Sequence, residues 1–359
     1  MWKYLFIILV LVSLGITSGC SVNLATMNVE DERLRSLPHR DFNEMPLEIT
    51  KSKEDPNKTT IRHINNSKIE LPNPCRLEYQ SFYFDLVGLV AVTGTLPPND
   101  KKYTVFLDTG HPGYALTNSL TILENKLAIC PFGESTVHSS YMGFCELPSL
   151  QLGQAVISEP PCVYLQQQWE VRLLGLPVWQ QRGVLLGLGL LKDFSYIAFD
   201  NRRKKVELSL TKVFELNKPD QWNNYSFEIK NGRLMVKMSI DGQICRLMFD
   251  SCGRYGMVVK QDFFERLPLK AISGKIRDSK FQSGFLGELP CQKTKIKDLN
   301  IGNMKVKNAE ILILPENSPY TEVANSISMK FFRDTIIVLD FKNGLIWVKN
   351  NGNNSNNRR

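Results

Sequence analysis

Short apolar runs alternate with turn residues from residue 76 to residue 349, and this pattern predicts a mainly β fold. The runs are rich in β-branched and aromatic side chains, which suit the half-buried surface of a sheet. Turn-forming clusters such as Pro97-Pro98-Asn99-Asp100 separate neighbouring runs. One run, at residues 103–107, stops abruptly at Asp108-Thr109-Gly110. The pattern therefore predicts a carboxylate at the end of a buried strand.

The second half of the chain repeats this arrangement. Leu247-Met248-Phe249-Asp250-Ser251 places a second carboxylate after an apolar run, 142 residues beyond Asp108. Three further segments recur at offsets of 141, 149 and 140 residues: Gly143-Phe144 as Gly284-Phe285, the turn at Gly153 as that at Gly302, and the ribbon at Asp200 as that at Asp340. Two copies of one β lobe explain these similar offsets most simply.

The order of these features resembles the lobe of the retropepsin-like and pepsin-like aspartic proteases over residues 76–349. The resemblance implies two homologous β-barrel lobes, at 75–215 and 222–350, with an active cleft between them. It implies an aspartic endopeptidase in which Asp108 and Asp250 form a dyad that activates water to hydrolyse a peptide bond. It implies a peptide or protein substrate, no cofactor and a monomer.

The same resemblance assigns the residues around the dyad. The supports of the two active loops are Thr109 and Gly110 in the first lobe, and Ser251, Cys252 and Gly253 in the second. Two hairpins are implied to close as flaps over the substrate, and their residues are Tyr141, Met142, Gly143, Phe144, Ser283, Gly284 and Phe285. His111, beside the first motif, is interpreted as an exposed loop residue.

The second lobe departs from the family pattern twice. Cys252 stands where the family has glycine, and an offset of 140 residues places Asn325-Ser326-Ile327 opposite Leu185-Leu186-Gly187. Cys252 is interpreted as a small filler and not a nucleophile, because no histidine is near it in sequence. These departures support an alternative, a peptide-binding pseudoprotease lipoprotein that has lost catalysis. A structural envelope lipoprotein without an accessible cleft is a third hypothesis.

The N-terminus has the layout of a secretory signal, with Lys3, an apolar stretch at 4–14 and small residues ending in Gly19-Cys20. It resembles the lipobox of bacterial lipoproteins, which implies a signal peptide at 1–20 and a lipidated Cys20 that holds the exported protein on a membrane of the bacterial cell envelope. A plain cleaved signal peptide is the alternative. Residues 21–74 are interpreted as an irregular tether, and 351–359 as a disordered tail.

Charge and cysteine usage add little chemistry. The formal net charge of +8 is dispersed, and its longest run, at residues 202–205, is interpreted as a solvated turn, so nucleic-acid binding is not expected. Seven cysteines remain after Cys20, and in an exported chain some of them should pair, but the sequence does not fix which. The four scattered histidines and the lack of a Cys-x-x-Cys motif argue against a metal site.

Overall fold

The structure is a computed structural model of the 359-residue chain. It describes residues 22–28, 32–41, 47–51, 59–63, 67–97, 101–135, 140–173, 176–268, 275–283, 287–318 and 325–349. Cys20, Gly284, Phe285 and the 351–359 tail lie outside these residues, so the expectations about them stay predictions. Within the described residues, no helix is both long and apolar enough to span a membrane.

The segment 21–74, expected to be an irregular tether, contains regular structure in its described parts. Leu34 and Leu37 are buried in the main hydrophobic core, which anchors this segment to the folded body. The expectation was wrong because a few apolar residues in a polar segment give no periodic signal, although they suffice to dock it. The elements are β1 (Val22–Asn28), a 3-10 helix (Glu32–Ser36), β2 (Leu47–Lys51), β3 (Thr59–His63) and β4 (Lys68–Glu70).

The first lobe follows, with a π-helical turn at Tyr83–Val87 and two short α-helices among its strands. Its strands are β5 (Cys75–Glu78), β6 (Ala91–Leu96), β7 (Lys101–Asp108), β8 (Ala115–Asn118), β9 (Ile129–Ser135), β10 (Ser140–Glu146), β11 (Leu150–Leu152), β12 (Ala155–Ser158), β13 (Pro161–Leu165), β14 (Gln167–Leu173), β15 (Leu176–Gln181), β16 (Gly183–Gly187), β17 (Tyr196–Asp200) and β18 (Lys205–Ser209). The helices are α1 (Ser119–Asn125) and α2 (Leu188–Leu191).

The second lobe has the same character. Its strands are β19 (Trp222–Lys230), β20 (Arg233–Ile240), β21 (Gln243–Asp250), β22 (Met257–Lys260), β23 (Arg277–Ser283), β24 (Gly287–Ile301), β25 (Met304–Leu314), β26 (Ser326–Ser328), β27 (Ile336–Asp340) and β28 (Leu345–Lys349). Its helices are α3 (Gln261–Arg266) and two 3-10 helices, Pro219–Gln221 and Met329–Phe332.

Sheet topology shows that the chain is duplicated. One sheet contains the order β6-β7-β16-β8-β13-β10-β9, and another contains β20-β21-β26-β22-β25-β24-β23. The pairings correspond in direction: β7 is parallel to β16 as β21 is to β26, and β8 is parallel to β13 as β22 is to β25. The mainly β, two-lobed fold expected from the sequence is confirmed.

A shared sheet joins the two lobes. Its order is β5-β18-β17-β27-β28-β19, with three strands from each half of the chain. β17 and β27 pair across the junction, from Tyr196 opposite Asp340 to Asp200 opposite Ile336. The ribbons around Asp200 and Asp340, predicted from sequence, are the strands that make this junction.

The register corrects one equivalence. Leu107 pairs with Leu186 in the first lobe, and Phe249 pairs with Ile327 in the second. The counterpart of Leu185-Leu186-Gly187 is therefore 326–328, one residue later than the 140-residue offset gave. The error arose because the connection before β26 differs in length from the one before β16, which an offset measured at the later ribbon does not reveal.

β7 shows why the active strand is a continuous apolar run. Val105 and Leu107 face the main core, while Phe106 faces a second cluster with Tyr83, Trp169 and other side chains. Part of this second cluster comes from β14, which is paired on one side with β1 and on the other with β15. Since both faces of β7 are covered, alternation disappears from its sequence.

Candidate functional site

Two strand ends bring the carboxylates together. Asp108 is the last residue of β7, and Asp250 is the last residue of its counterpart β21. The two side chains are hydrogen-bonded to each other. Because each strand is held by a parallel neighbour, β16 or β26, the two carboxylates occupy equivalent positions in the two lobes.

Thr109 and Ser251 exchange hydrogen bonds across the lobes. The Thr109 N–H donates to Ser251 Oγ at 2.9 Å, and the Ser251 N–H donates to Thr109 Oγ1 at 3.0 Å. In return, Thr109 Oγ1 donates to the Phe249 carbonyl at 2.9 Å, and Ser251 Oγ donates to the Leu107 carbonyl at 2.5 Å. Both residues are fully buried, so breaking any of these bonds would leave an unsatisfied polar group.

Backbone N–H groups orient both carboxylates. Asp108 Oδ1 accepts from the N–H of Gly110 at 2.8 Å and from that of His111 at 3.3 Å. Asp250 Oδ1 accepts from the N–H of Cys252 at 2.8 Å. Cys252 thus supplies with its backbone the same bond that Gly110 supplies in the first lobe.

Burial raises the pKa of Asp108 well above its ordinary range, and the nearby Asp250 carboxylate raises it further. Burial also raises the pKa of Asp250, but N–H donation from Cys252 and the charge of Arg233 oppose this effect. The pair therefore favours a state with one proton, carried by Asp108, which donates to an ionised Asp250.

Close approach makes Gly110 and Cys252 unequal. A Cβ on Gly110 would lie 2.6 Å from Cγ of Asp250, so no side chain fits there. Cys252 does carry a side chain, and its Sγ lies 3.3 Å from the Leu107 carbonyl and 3.6 Å from that of Val90. Burial, followed by the two aspartates, raises the pKa of this thiol well above normal. Cys252 is thus a protonated donor to main-chain carbonyls, which does not suit a nucleophile.

A reciprocal exchange of side chains lies beneath the two loops. In the first lobe Gly187 leaves room for His111, whose Cδ2 would be 2.5 Å from a Cβ on that glycine. In the second lobe Ser328 replaces Gly187, and Gly253 replaces His111; a Cβ on Gly253 would lie 2.7 Å from that of Ser328. Each loop therefore has one side chain and one glycine, in opposite order.

His111 is enclosed, contrary to the expectation of an exposed loop residue. Burial lowers the pKa of its imidazole from 6.5 to about 4, and the nearby Arg233 lowers it further. The folded state thus favours neutral imidazole, so its contribution to stability is complete above pH 6.5 and is lost as the pH falls towards about 4. The expectation failed because the room for the ring comes from Gly187, which is remote in sequence.

Arg233 gives the site a second asymmetry. It begins β20, two residues before Met235, whereas the register places Leu89 at the same point of the first lobe, two residues before Ala91. Its guanidinium donates to Sδ of Met248 at 3.6 Å, and its charge acts on both Asp250 and His111. Sequence reasoning missed Arg233, although its place directly after the Asn231-Gly232 turn was a usable signal.

The predicted flap residues lie in two equivalent hairpins. Tyr141, Met142, Gly143 and Phe144 belong to β10, and Ser283 ends β23. Met142 packs on the Phe106 cluster, while Phe144 is buried against Cys130 and Val163. Gly143 lies where a Cβ would be 2.4 Å from the Cys130 carbonyl. The segment that joins β9 to β10 is 136–139, and its counterpart between β23 and β24 is 284–286; both lie outside the described residues.

This arrangement can exchange one proton between two enclosed carboxylates, which is suited to acid–base chemistry on a bound water. Among the described residues, no group of His, Cys, Asp and Glu could hold a metal ion. The residues that carry the geometry are those of the two loops, together with Arg233 and Ser328.

Gly110→Ala should separate the carboxylates, because its Cβ would meet the Asp250 carboxylate. We expect the hydrogen bond between Asp108 and Asp250 to be lost and their shared titration to split, measured by carboxyl NMR chemical shifts against pH. Cys252→Ala is the matched control at the equivalent position, where a Cβ is already accommodated. Unchanged coupled titration in Gly110→Ala would contradict the described approach.

Comparisons with known proteins add little. No family model matches the sequence, and no curated protein matches it. Among solved structures, the chain is similar to basic 7S globulin from soybean, with 11% sequence identity and a TM-score of 0.42 over 77% of this chain and 96% of that one. At this TM-score the likeness carries no argument about activity, which has to be inferred from the geometry of the site.

Proposed function

We propose that this protein is an aspartic endopeptidase that hydrolyses peptide bonds with Asp108 and Asp250. The observation that carries the proposal is the hydrogen-bonded pair of carboxylates, held by reciprocal bonds between Thr109 and Ser251. The resemblance of the sequence to retropepsin-like and pepsin-like proteases supports the same reaction. Its substrate is an extended peptide, which would lie beneath the β9–β10 and β23–β24 hairpins.

In the proposed reaction Asp250 is the general base and Asp108 the general acid. A water bound to the pair loses a proton to Asp250 while its oxygen attacks the peptide carbonyl carbon. Asp108 gives its proton to the carbonyl oxygen, which stabilises the tetrahedral intermediate. Asp250 then returns the proton to the leaving nitrogen as the C–N bond breaks, and Asp108 is reprotonated as the carboxylic acid product forms.

Three contacts support this division of roles. The Asp108 hydroxyl donates to Asp250, so the proton is on the first carboxyl. Arg233 lies near Asp250, where a positive charge favours the ionised form. The equivalent place in the first lobe is filled by Leu89, which has no charge and does not favour ionisation of Asp108.

Asp108→Asn and Asp250→Asn should each abolish cleavage, because each removes one of the two groups between which the proton moves. We expect kcat/KM to fall by roughly 10³-fold or more in each variant. The measurement is cleavage of a peptide library from pH 3 to 8 by the full chain in detergent, read by mass spectrometry. Asp200→Asn, which changes an aspartate of the shared sheet outside the site, is the matched control.

The pseudoprotease hypothesis gives a different outcome to the same experiment. It is favoured by Cys252 and Ser328, which depart from the glycines of the first lobe. If wild type cuts nothing while a peptide binds equally well to wild type and both Asn variants, the proposed activity is wrong and the protein is a receptor.

Arg233→Met should raise the pKa of Asp250 and therefore move the acid limb of the pH–rate profile upwards. We expect a shift of about one pH unit, since a neighbouring cation is removed while Asp108, His111 and Cys252 are kept. Arg233→Lys should retain most of the wild-type profile. Arg246→Met, which removes an exposed arginine of β21 that pairs with Glu228, should leave it unchanged. An unmoved acid limb in Arg233→Met would refute the role given to this charge.

We further propose that the enzyme acts at a membrane of the bacterial envelope, held by a lipid on Cys20. The support is the signal-like N-terminus alone. Cys20→Ser should block incorporation of labelled fatty acid and release the protein from membranes on fractionation. Cys130→Ser, in the folded body, should leave both unchanged. A Cys20→Ser protein that keeps its label and its membrane association would disprove the anchor.

A further inference from the structure

Two cysteines of the first lobe face each other across neighbouring strands. Cys145 in β10 pairs directly with Cys162 in β13, within an antiparallel register that runs from Met142 opposite Leu165 to Glu146 opposite Pro161. Directly opposed residues of an antiparallel ladder have Cα atoms about 4.5–5.5 Å apart. That separation lies inside the range of about 4.4–6.8 Å that a disulfide requires.

Both side chains point into the same core. Cys145 and Cys162 are 2% and 0% exposed, and both belong to the main hydrophobic cluster. Their thiols are hydrogen-bonded to each other. The sulfur atoms are thus already in contact, without a change of strand register.

Cys130 is close in sequence but lies on the other face of the sheet. It is opposite Phe144, one residue before Cys145, and it packs with Phe144 and Val163 in a separate cluster. Since side chains alternate between faces along a strand, Cys130 cannot replace Cys162 as a partner of Cys145.

The other described cysteines have different surroundings. Cys75 Sγ lies 3.7 Å from the Leu152 carbonyl, and Cys252 lies beside the carboxylates. Cys245 belongs to the second-lobe part of the main core, whereas Cys291 belongs to a separate cluster with Phe281 and Leu312. Among the seven described cysteines, the strand register sets only Cys145 and Cys162 opposite each other.

We infer that Cys145 and Cys162 form a cross-strand disulfide when the chain folds in an oxidising environment. Both are thiols in the structure, and the bond forms by exchange with a disulfide oxidant such as oxidised glutathione. One cysteine thiolate attacks the oxidant and releases a glutathione thiolate; the second then attacks the mixed disulfide at the protein sulfur and releases the other. Two protein thiols are oxidised, two protons are lost, and one oxidant disulfide is reduced to two thiols.

The position of this bond has a consequence for the hairpin implied to be a flap. It would fix the base of β9–β10 to β13, while the 136–139 segment at the other end is unaffected. It would also close a loop that contains β11 and β12, and closing such a loop restricts the unfolded chain. The inference is independent of the proposed peptidase activity, because neither sulfur belongs to the carboxylate site.

Peptide mapping tests the connectivity directly. The full chain in detergent is unfolded in reductant, refolded with reduced and oxidised glutathione, quenched in acid and alkylated with N-ethylmaleimide. Cleavage after glutamate places Cys130, Cys145 and Cys162 in three separate peptides, because Glu134 and Glu146 lie between them. We expect peptide 135–146 to be linked to the peptide carrying Cys162. Alkylated Cys145 and Cys162, or a link from either one to another cysteine, would overturn the inference.

Stability gives an independent readout. Adding reductant should lower the Tm of the oxidised wild type by about 5 °C, through loss of the loop constraint. Cys145→Ala and Cys162→Ala should not respond to reductant, and Cys130→Ala should respond like wild type. Peptide cleavage by the same proteins is measured in parallel, so that loss of the disulfide and failure of the proposed activity give separate results.

Discussion

The exchange of hydrogen bonds between Thr109 and Ser251 is the constraint on which the rest of the site depends. Each residue gives a backbone N–H to the other's hydroxyl, and each hydroxyl gives its proton to a carbonyl of the opposite lobe. Because both residues are fully buried, water cannot replace these bonds if the lobes separate. The shared sheet joins the lobes at one end, and this exchange fixes where β7 and β21 finish relative to each other.

This fixed centre permits the surroundings to differ between the lobes. The Asp-Thr and Asp-Ser pairs are the groups that must match, since each completes the other's hydrogen bonds. Around them the lobes have diverged in a coordinated way: Ser328 is accompanied by Gly253, just as Gly187 is accompanied by His111. The second-lobe departures therefore do not by themselves indicate a damaged site, because the volume lost at one position is recovered at its neighbour.

The sequence predicted the symmetric part of the molecule. Repeated apolar runs, turn glycines and the two aspartate motifs predicted a two-lobed, mainly β chain, and the sheet order agrees with it. Features that depend on contacts between remote segments were inaccessible: the enclosure of His111 by Gly187, the approach of Arg233 to Asp250, and the docking of Leu34 and Leu37 in the core. The pairing partner of Cys145 belongs to the same class, since it required the register of β10 on β13.

The asymmetry of charge bears on how the site would work. Two identical carboxylates in identical surroundings would share a proton equally, and either one could act as base. Here Leu89 and Arg233 occupy equivalent places, so one carboxylate has an apolar neighbour and the other has a cation. A cation favours the ionised form of the carboxylate beside it, whereas an apolar neighbour does not. The two lobes thus assign different roles to equivalent aspartates, although the bonds that hold those aspartates are nearly the same in both.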